Sequence, residues 1–516
     1  MRNLKKIMAI VLSMVVTASC FAGCGNKNEN EAGTGKNNIE IAYWNSGLGT
    51  DWLDAVIEAF EAKYPDYNVT YKESATSNAV VAAFRNEDAD TTDLYMTIKE
   101  FDTEYMESLD DVLDSTVSGE SKTIREKYDD SQLLLETAAD GKVYTLSYGG
   151  GAAGIVYNKK LFEEAGIKTL PRTTDELTGA CDALYSSDIK PFCHFKLTGY
   201  WDYIIEAWFA QYDGYDYYLN NFYACKDESG KSPSIEVFKK EDGRYEAMKV
   251  CEKIVTNDYI LTGSNSNDHI TMQTTFLNGD AAMMVNGSWL SNEMESIGSV
   301  ENFGVMRTPV ISSITDKLTT VKKDSELRKL VTAIDSVVDG EKEITEYQNG
   351  ENYKIDDMEV SAADWDYVSN ARYTVASNFS GQSMFIPTYS DAKEGAKEFI
   401  KFLYSDEGYK VYADTLHIPL PITMDKGEID TSSWNAFEKE FYNFTVTAKY
   451  PATMFVMGKH KIFTEGGAGL YGGYSFVNLF CSNNVGDKET AKQAWENVMK
   501  TVDTDYEDVW LANVSK

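Results

Sequence analysis

An α/β fold is what this 516-residue chain predicts, and three observations carry that expectation. Short apolar strands alternate with amphipathic helices from residue 39 to about residue 276. Helix start and stop signals fall between them in the right places. No internal repeat or coiled-coil heptad interrupts the pattern.

The chain opens with a basic start, Arg2, Lys5 and Lys6, then an apolar run from Ile7 to Ala18. Roughly a dozen apolar residues form an export signal and fall short of the ~20 needed to span a bilayer. Small residues then lead into Phe21-Ala22-Gly23-Cys24. This stretch resembles the bacterial lipoprotein signal, with phenylalanine where leucine is usual. The resemblance implies removal of residues 1–23 and a lipid on Cys24. An ordinary secretory signal cut after Ala18 or Ala22 is the alternative, and both place the protein outside the cytoplasm. Residues 24–38 are rich in Gly, Asn and Glu and read as a flexible tether.

Order is expected from Ile39. Ile39–Tyr43 alternates as a strand, Trp44-Asn45-Ser46-Gly47 forms a loop, and Thr50 caps a helix whose Leu53, Val56, Ile57 and Phe60 share a face. Pro65 stops that helix before a strand at Asn68–Tyr71. Further strands are expected at Asp93–Thr97, Val143–Tyr148 and Ile155–Tyr157, the second ending in Gly149-Gly150-Gly151. A helix ending at Gly166 follows, and Thr173 with Glu176 three residues on forms a capping box. Residues 312–370 are richer in charge and read as an inserted or peripheral region.

With 82 acidic against 48 basic residues, the net charge of −34 excludes a nucleic-acid partner, whose phosphates need a basic face. It equally disfavours lying flat on an anionic membrane. Cys181, Cys193, Cys225, Cys251 and Cys481 are an odd, scattered set rather than a disulfide framework. Cys193-His194 is the one adjacent Cys/His pair, and a small thiol beside a partly buried imidazole explains it better than a metal site.

The most informative window is residues 276–294, FLNGDAAMMVNGSWLSNEM. Asn278-Gly279 ends a helix, Ala281–Val285 is a buried strand, Asn286-Gly287 is a turn, and Ser288 caps a helix with Trp289 in its first turn. In open α/β sheets, ligands gather at the carboxyl ends of strands. Trp289 there is either a stacking platform or an apolar plug between domains.

Four segments then resemble one family in order. They are YTLSYGGGAAGIVYNKKLFEEAGI (144–167), LPRTTDEL (170–177), GDAAMMVNGSWL (279–290) and IPTYSDAKEGAKEFIKFLYSDEGYKVYAD (386–414). The chain is similar to extracellular solute-binding proteins of ABC transporters, in the sugar-binding, maltose-type branch. That resemblance implies a two-lobe periplasmic-binding-protein-like (type II) fold closing on a ligand in the cleft. It implies a monomer without cofactor, with a carbohydrate ligand and permease subunits as partners, on the outer face of the cell membrane. One lobe is expected from residues 39–148 with about 302–385, the other from 149–301 with about 386–516.

The resemblance also implies which residues meet the solute. Trp289 leads, followed by Tyr200 and Trp201 in TGYWDY, and by Trp44 and Asn45 after the first strand. Lys99 and Glu100 occupy a similar rim after Asp93–Thr97, although a solvated charge pair accounts for them as well. Tyr148 and Gly149 sit at the crossover, where maltodextrin binders tend to use a carboxylate; glycines here argue against maltodextrin as cargo. Tyr471 lies in a Gly-Tyr loop, residues 466–476, that lines the cleft or merely turns. A sugar's apolar faces and hydroxyl rim suit aromatic planes beside amides and carboxylates.

A secreted glycoside hydrolase is the rival from another class, and it would need two carboxylates about 5 or 6.5–9.5 Å apart. Sequence cannot single out such a pair among 82 acidic residues. No G-x-S-x-G elbow, zinc helix or phosphate loop is present, so a binding protein for a sugar, or for another polar solute, is expected.

Overall fold

Residues 37–86, 91–100, 102–196, 200–377, 379–453, 490–497 and 499–500 are described in this computed structural model. β1 (Asn37–Trp44) runs into a loop and then α1 (Asp51–Lys63), which buries Trp52, Leu53, Val56 and Phe60 on one face. Thr50 begins α1 through its carbonyl, which accepts the Leu53 and Asp54 N–H groups, and not through its hydroxyl. Asp51 and Asp54 in the first turn favour the helix dipole. β2 (Tyr67–Ser74) and β3 (Leu94–Thr97) flank β1 in parallel.

After α2 (Asp130–Glu136), the expected strand at Val143–Tyr148 shrinks to β4 (Leu146–Ser147). The glycine run then carries the chain into β5 (Ala152–Asn158) and α3 (Lys159–Glu164), and Gly166 adopts φ +72° just beyond. α4 (Thr174–Ser186) accepts a cap from Thr173, whose hydroxyl receives the Glu176 N–H at 3.2 Å. The box closes only halfway, because Glu176 turns to Arg172 instead, at 2.6 Å.

α5 (Trp201–Asp213), α6 (His269–Leu277), β6 (Met283–Gly287), α7 (Leu290–Met294) and β7 (Phe303–Met306) follow. β6 and β7 both pair antiparallel with β5. The charged region then supplies α8 (Asp324–Val338), a small meander of β8 (Gln348–Asn349), β9 (Asn352–Ile355) and β10 (Met358–Val360), and α9 (Ala362–Tyr373). It is less peripheral than its composition implies: Leu327, Leu330, Ile334, Trp365 and Val368 join the core around β5.

β11 (Thr374–Ser377) pairs with β5, whereas β12 (Ser383–Phe385) pairs with β3 and β4. α10 (Lys393–Leu403) and α11 (Asp406–Leu416) pack with Ile39, Phe60 and Tyr148, and α12 (Ala436–Val446) returns to the β5 side with β13 (Tyr450–Ala452). This corrects the expected lobe boundaries. Residues 303–377 belong with 152–294, and residues 383–434 belong with 39–148. Strand patterning reveals that a segment is extended, while the sheet it joins is decided by long-range pairing.

The sheets read β2-β1-β3-β12-β4 and β13-β11-β5-β6. Their directions place the carboxyl ends of β1, β3 and β4 at the edge where the chain leaves lobe one. Those of β6, β11 and β13 lie at the edge where it enters lobe two. The two edges are joined by residues 148–151, by the link from Ser377 to Ser383, and by a passage near Asn435.

Candidate ligand-binding site

At the lobe-two edge, β6 delivers Gly287 and then turns. Ser288 does not cap the next helix; its hydroxyl donates to the Gly150 carbonyl at 2.8 Å, tying the turn to the crossover. Trp289 itself takes the N-cap position of α7. Its ring folds back over Gly287, where a Cβ would lie 2.0 Å from ring carbon Cζ3, so only glycine fits beneath it. The ring is 5% exposed and packs edge-on to Tyr200, with centroids 5.5 Å apart at 81°, and tilted against Tyr203 at 6.0 Å. Its indole N–H lies near the Tyr200 hydroxyl but closes no hydrogen bond.

Tyr200 is half-buried and left-handed at φ 65°, a conformation costly for an aromatic residue. It also meets Phe195 edge-on at 4.8 Å. Trp201, paired with Tyr200 in the sequence reading, is separated from it here. Its side chain is fully buried and its indole N–H donates to His194 Nδ1 at 3.0 Å. Because Nδ1 accepts, Nε2 carries the proton and donates to Asn265 Oδ1 at 2.6 Å. Burial holds His194 below the usual imidazole range. Trp201 is therefore placed as a core residue, at the start of α5 where apolar packing on Phe192 outweighs cleft exposure.

Lobe one presents the loop after β1. Trp44 is half-buried against a cluster with Val80, Phe84 and Tyr95. Asn45 shapes the loop: its Oδ1 accepts the Gly49 N–H at 2.9 Å and its Nδ2 donates to Glu73 at 2.8 Å. Ser46 accepts from Gln382 Nε2 at 2.5 Å, and Gly149 sits where a Cβ would lie 2.3 Å from Gln382 Oε1. Tyr148 is fully buried, stacked 5.9 Å from Trp52, which places it in the core of lobe one.

Lys99 and Glu100 are not one solvated pair. Lys99 is buried and donates to Glu136 at 2.6 Å, while Glu136 also accepts from Ser147 at 2.5 Å and Gln132 at 3.1 Å. Burial lowers the Lys99 pKa. Glu136 thus ties α2 to the segment after β3 through Lys99 and to β4 through Ser147, just before the crossover; losing Lys99 or Glu136 would strand the other's charge. Glu100 instead meets Arg85 at 3.0 Å, and burial raises its carboxyl above the usual range. Tyr471 and Cys24 lie outside the described residues.

Sequence reasoning missed Glu293 and Gln273. Glu293 is half-buried four residues after Trp289 and accepts from Gln273 Nε2 at 2.8 Å. Its other oxygen faces lobe one, where a Cβ on Gly47 would lie 2.5 Å away. Desolvation pushes its carboxyl up to about 7. The i, i+4 spacing from Trp289 was the available signal, since it puts both on one helical face. A separate cavity of about 110 Å³ sits where the interlobe links converge, lined by Gln132, Ala152, Ser377, Phe379, Leu420 and Thr445.

Two lobes facing each other across their strand ends, with an aromatic cluster on one rim and a glycine-shaped loop on the other, define a cleft-type receptor. Residues 46–410 match the family of bacterial extracellular solute-binding proteins, and the chain belongs to that family. A Brucella abortus (strain 2308) protein named "Putative binding protein" is 28% identical over 178 residues, 34% of this chain. That match spans 40% of the relative's length.

Among solved structures, the bacterial solute receptor AcbH, described as exclusive for β-D-galactopyranose, superposes with TM-score 0.58 at 13% identity, covering 90% of this chain and 98% of that one. The GacH receptor of Streptomyces glaucescens, solved free and with acarbose, gives 0.57 at 15%, covering 91% and 99%. A mannobiose-bound binding protein of Bifidobacterium animalis subsp. lactis gives 0.53 at 18%, covering 92% and 95%. These likenesses establish the two-lobe fold. Among the described residues, no helix is long and apolar enough to cross a membrane.

Proposed function

We propose that this protein is a membrane-tethered receptor that captures a carbohydrate, of oligosaccharide size, between its lobes and delivers it to the permease of an ABC transporter. The observation that carries this reading is the Trp289–Tyr200 cluster at the lobe-two strand ends, with the polar Glu293 and Gln273 beside it. Aromatic planes take a sugar's C–H faces and the polar groups take its hydroxyls. Family membership and neighbours that bind galactose, acarbose and mannobiose support it. Ligand bridging both rims shifts a hinge equilibrium toward the closed form, the form offered to the permease. The tether is the lipid on Cys24, and the receptor acts as a monomer without catalysis.

A thermal-shift screen of the purified protein against galactose, maltose, mannobiose and chitin and xylan oligosaccharides tests the reading. A ligand selective for the native state raises Tm. A shift with one glycan class, recovered intact, is the expected result. Accumulating fragments would make the protein a hydrolase, and a flat response would turn the cargo into a non-sugar polar solute. For the tether, Cys24→Ala should move the protein from the membrane fraction to the medium.

A further inference from the structure

We infer that Glu293 is the specificity-determining acceptor of the cleft, reading adjacent hydroxyl donors on the edge of the solute that lies against Trp289. The inference rests on the carbohydrate reading and deepens it, because it assigns a polar requirement that the aromatic cluster alone cannot impose.

Among the described residues no cation pairs with Glu293, and its one hydrogen bond, from Gln273, engages Oε2. Oε1 has no donor there and faces the Gly47 backbone of the opposite lobe. Gln273 is fully buried, and its own carbonyl oxygen, Oε1, is likewise without a donor. Two acceptor oxygens without donors therefore belong to one hydrogen-bonded pair, with Glu293 Oε1 the one at the seam. A half-buried carboxylate left this way is costly to keep and does nothing for stability.

The opposite wall is preformed. Gly47 adopts φ +85°, so the loop can approach without a side chain in the way. Asn45 to Gly49, Tyr43 to the Gly49 carbonyl at 2.7 Å and Gln382 to Ser46 hold that loop in place. The wall thus offers backbone and leaves Glu293 as the charged group reading the solute. Acceptor oxygens left without donors are met by donors from the ligand, which vicinal sugar hydroxyls supply. Such sites discriminate strongly, since a ligand lacking the hydroxyl leaves the buried acceptor unpaired.

Proton linkage gives a readout that packing would not. The groups facing Glu293 are Tyr200 from the start of α5, Gln273 from α6 and Gly47 from the β1 loop, and of these only Tyr200 titrates. Burial pushes that phenol up, so it stays neutral through the working range. With Glu293 poised at about 7, its charged form is lost as pH falls below neutrality.

The test is calorimetric titration of the wild type and Glu293→Gln with the tightest-binding glycan among galactose, maltose, mannobiose, chitobiose and xylobiose, at pH 5.5, 7 and 8.5. Wild-type affinity is expected to fall about tenfold from the highest to the lowest pH, as a charge-assisted acceptor is lost. Glu293→Gln should bind about tenfold more weakly at the highest pH and show no slope. Equal affinity and slope in both proteins overturn the inference while leaving the carbohydrate reading intact. No wild-type binding to any glycan overturns both. Should the variant fail to fold, the wild-type profile decides alone, a flat one overturning the inference.

Discussion

Each lobe builds an aromatic cluster around a tryptophan near the cleft, and the two clusters, alike in burial, differ in indole pairing, backbone strain and adjoining charge. In lobe one, Trp52 is fully buried, stacks on Tyr148, meets Tyr412 edge-on at 5.3 Å, and donates its indole N–H to Tyr43 at 3.1 Å. Tyr43 passes the bond on to the Gly49 carbonyl. In lobe two, Trp289 is nearly as buried, yet its N–H is unpaired, its partner Tyr200 is left-handed, and an uncompensated carboxylate adjoins it. Burial alone would make both structural. Unpaired hydroxyls do not separate them, since Tyr148 and Tyr412 beside Trp52 also lack partners; the left-handed strain of Tyr200 and the desolvated carboxylate of Glu293 do, because proteins retain such costs where a ligand is to be met.

The largest effect expected is on the first cluster. Trp52→Ala should lower the unfolding free energy by about 3–5 kcal/mol, the usual cost of emptying a buried tryptophan site, as read by urea denaturation. Whatever fraction stays folded should bind ligand with wild-type affinity. A folded Trp52→Ala protein that binds poorly would erase the distinction between the clusters.

Next comes Trp289→Ala. Affinity for the solute should weaken by about 1–3 kcal/mol, with a smaller loss of stability than Trp52→Ala causes. Isothermal titration and denaturation on the same sample give both numbers. Unchanged affinity in a folded variant would make Trp289 a plug between lobes.

Glu293→Gln sharpens the comparison without any ligand. The folded-state pKa of Glu293 is raised, so its ionisation costs more in the native protein than in the unfolded chain. The wild type should therefore lose stability relative to the variant as pH rises from about 4.5 through about 7, and the gap should stay constant above that. The full shift corresponds to ~3 kcal/mol, and solvent screening of this half-buried group reduces it to on the order of 1–2 kcal/mol at pH 8. Glu206, also raised to about 7 by burial, contributes a similar slope to both proteins and cancels in the difference. Tm measured across that pH range with no gap would remove the desolvation cost assigned to Glu293.

How much of this was legible beforehand follows from the same physics. Local signals worked: the apolar face of α1, the glycine stop at Gly166 and the turn before Trp289 all lie within a few residues of one another. Lobe membership of residues 303–434 was misread, because pairing of β11 with β5 and of β12 with β3 joins segments more than 200 residues apart. Trp201 and Tyr148 were drawn toward the site by position in a motif, and their side chains turn into the cores. Lys99 was misjudged because its partner, Glu136, lies 37 residues away. Glu293 was missed because its i, i+4 spacing from Trp289 puts it on the right face without marking it as a carboxylate that lacks a cation.

The smallest expected effect is the most discriminating. Tyr200→Asn exchanges an aromatic ring for a residue that tolerates left-handed backbone, so two terms of opposite sign compete. Relief of strain returns about 1 kcal/mol. Loss of the edge-on contacts with Trp289 and Phe195 costs a similar amount, the scale of aromatic pairs beyond their area. Net stability should therefore change by less than about 1 kcal/mol while affinity for the glycan drops, because the plane beside Trp289 has gone. Tm and Kd measured together decide it. A loss of stability approaching that of Trp52→Ala would mean that the left-handed turn is held by packing alone, and the lobe-two cluster would then be a second core of the same kind as the first.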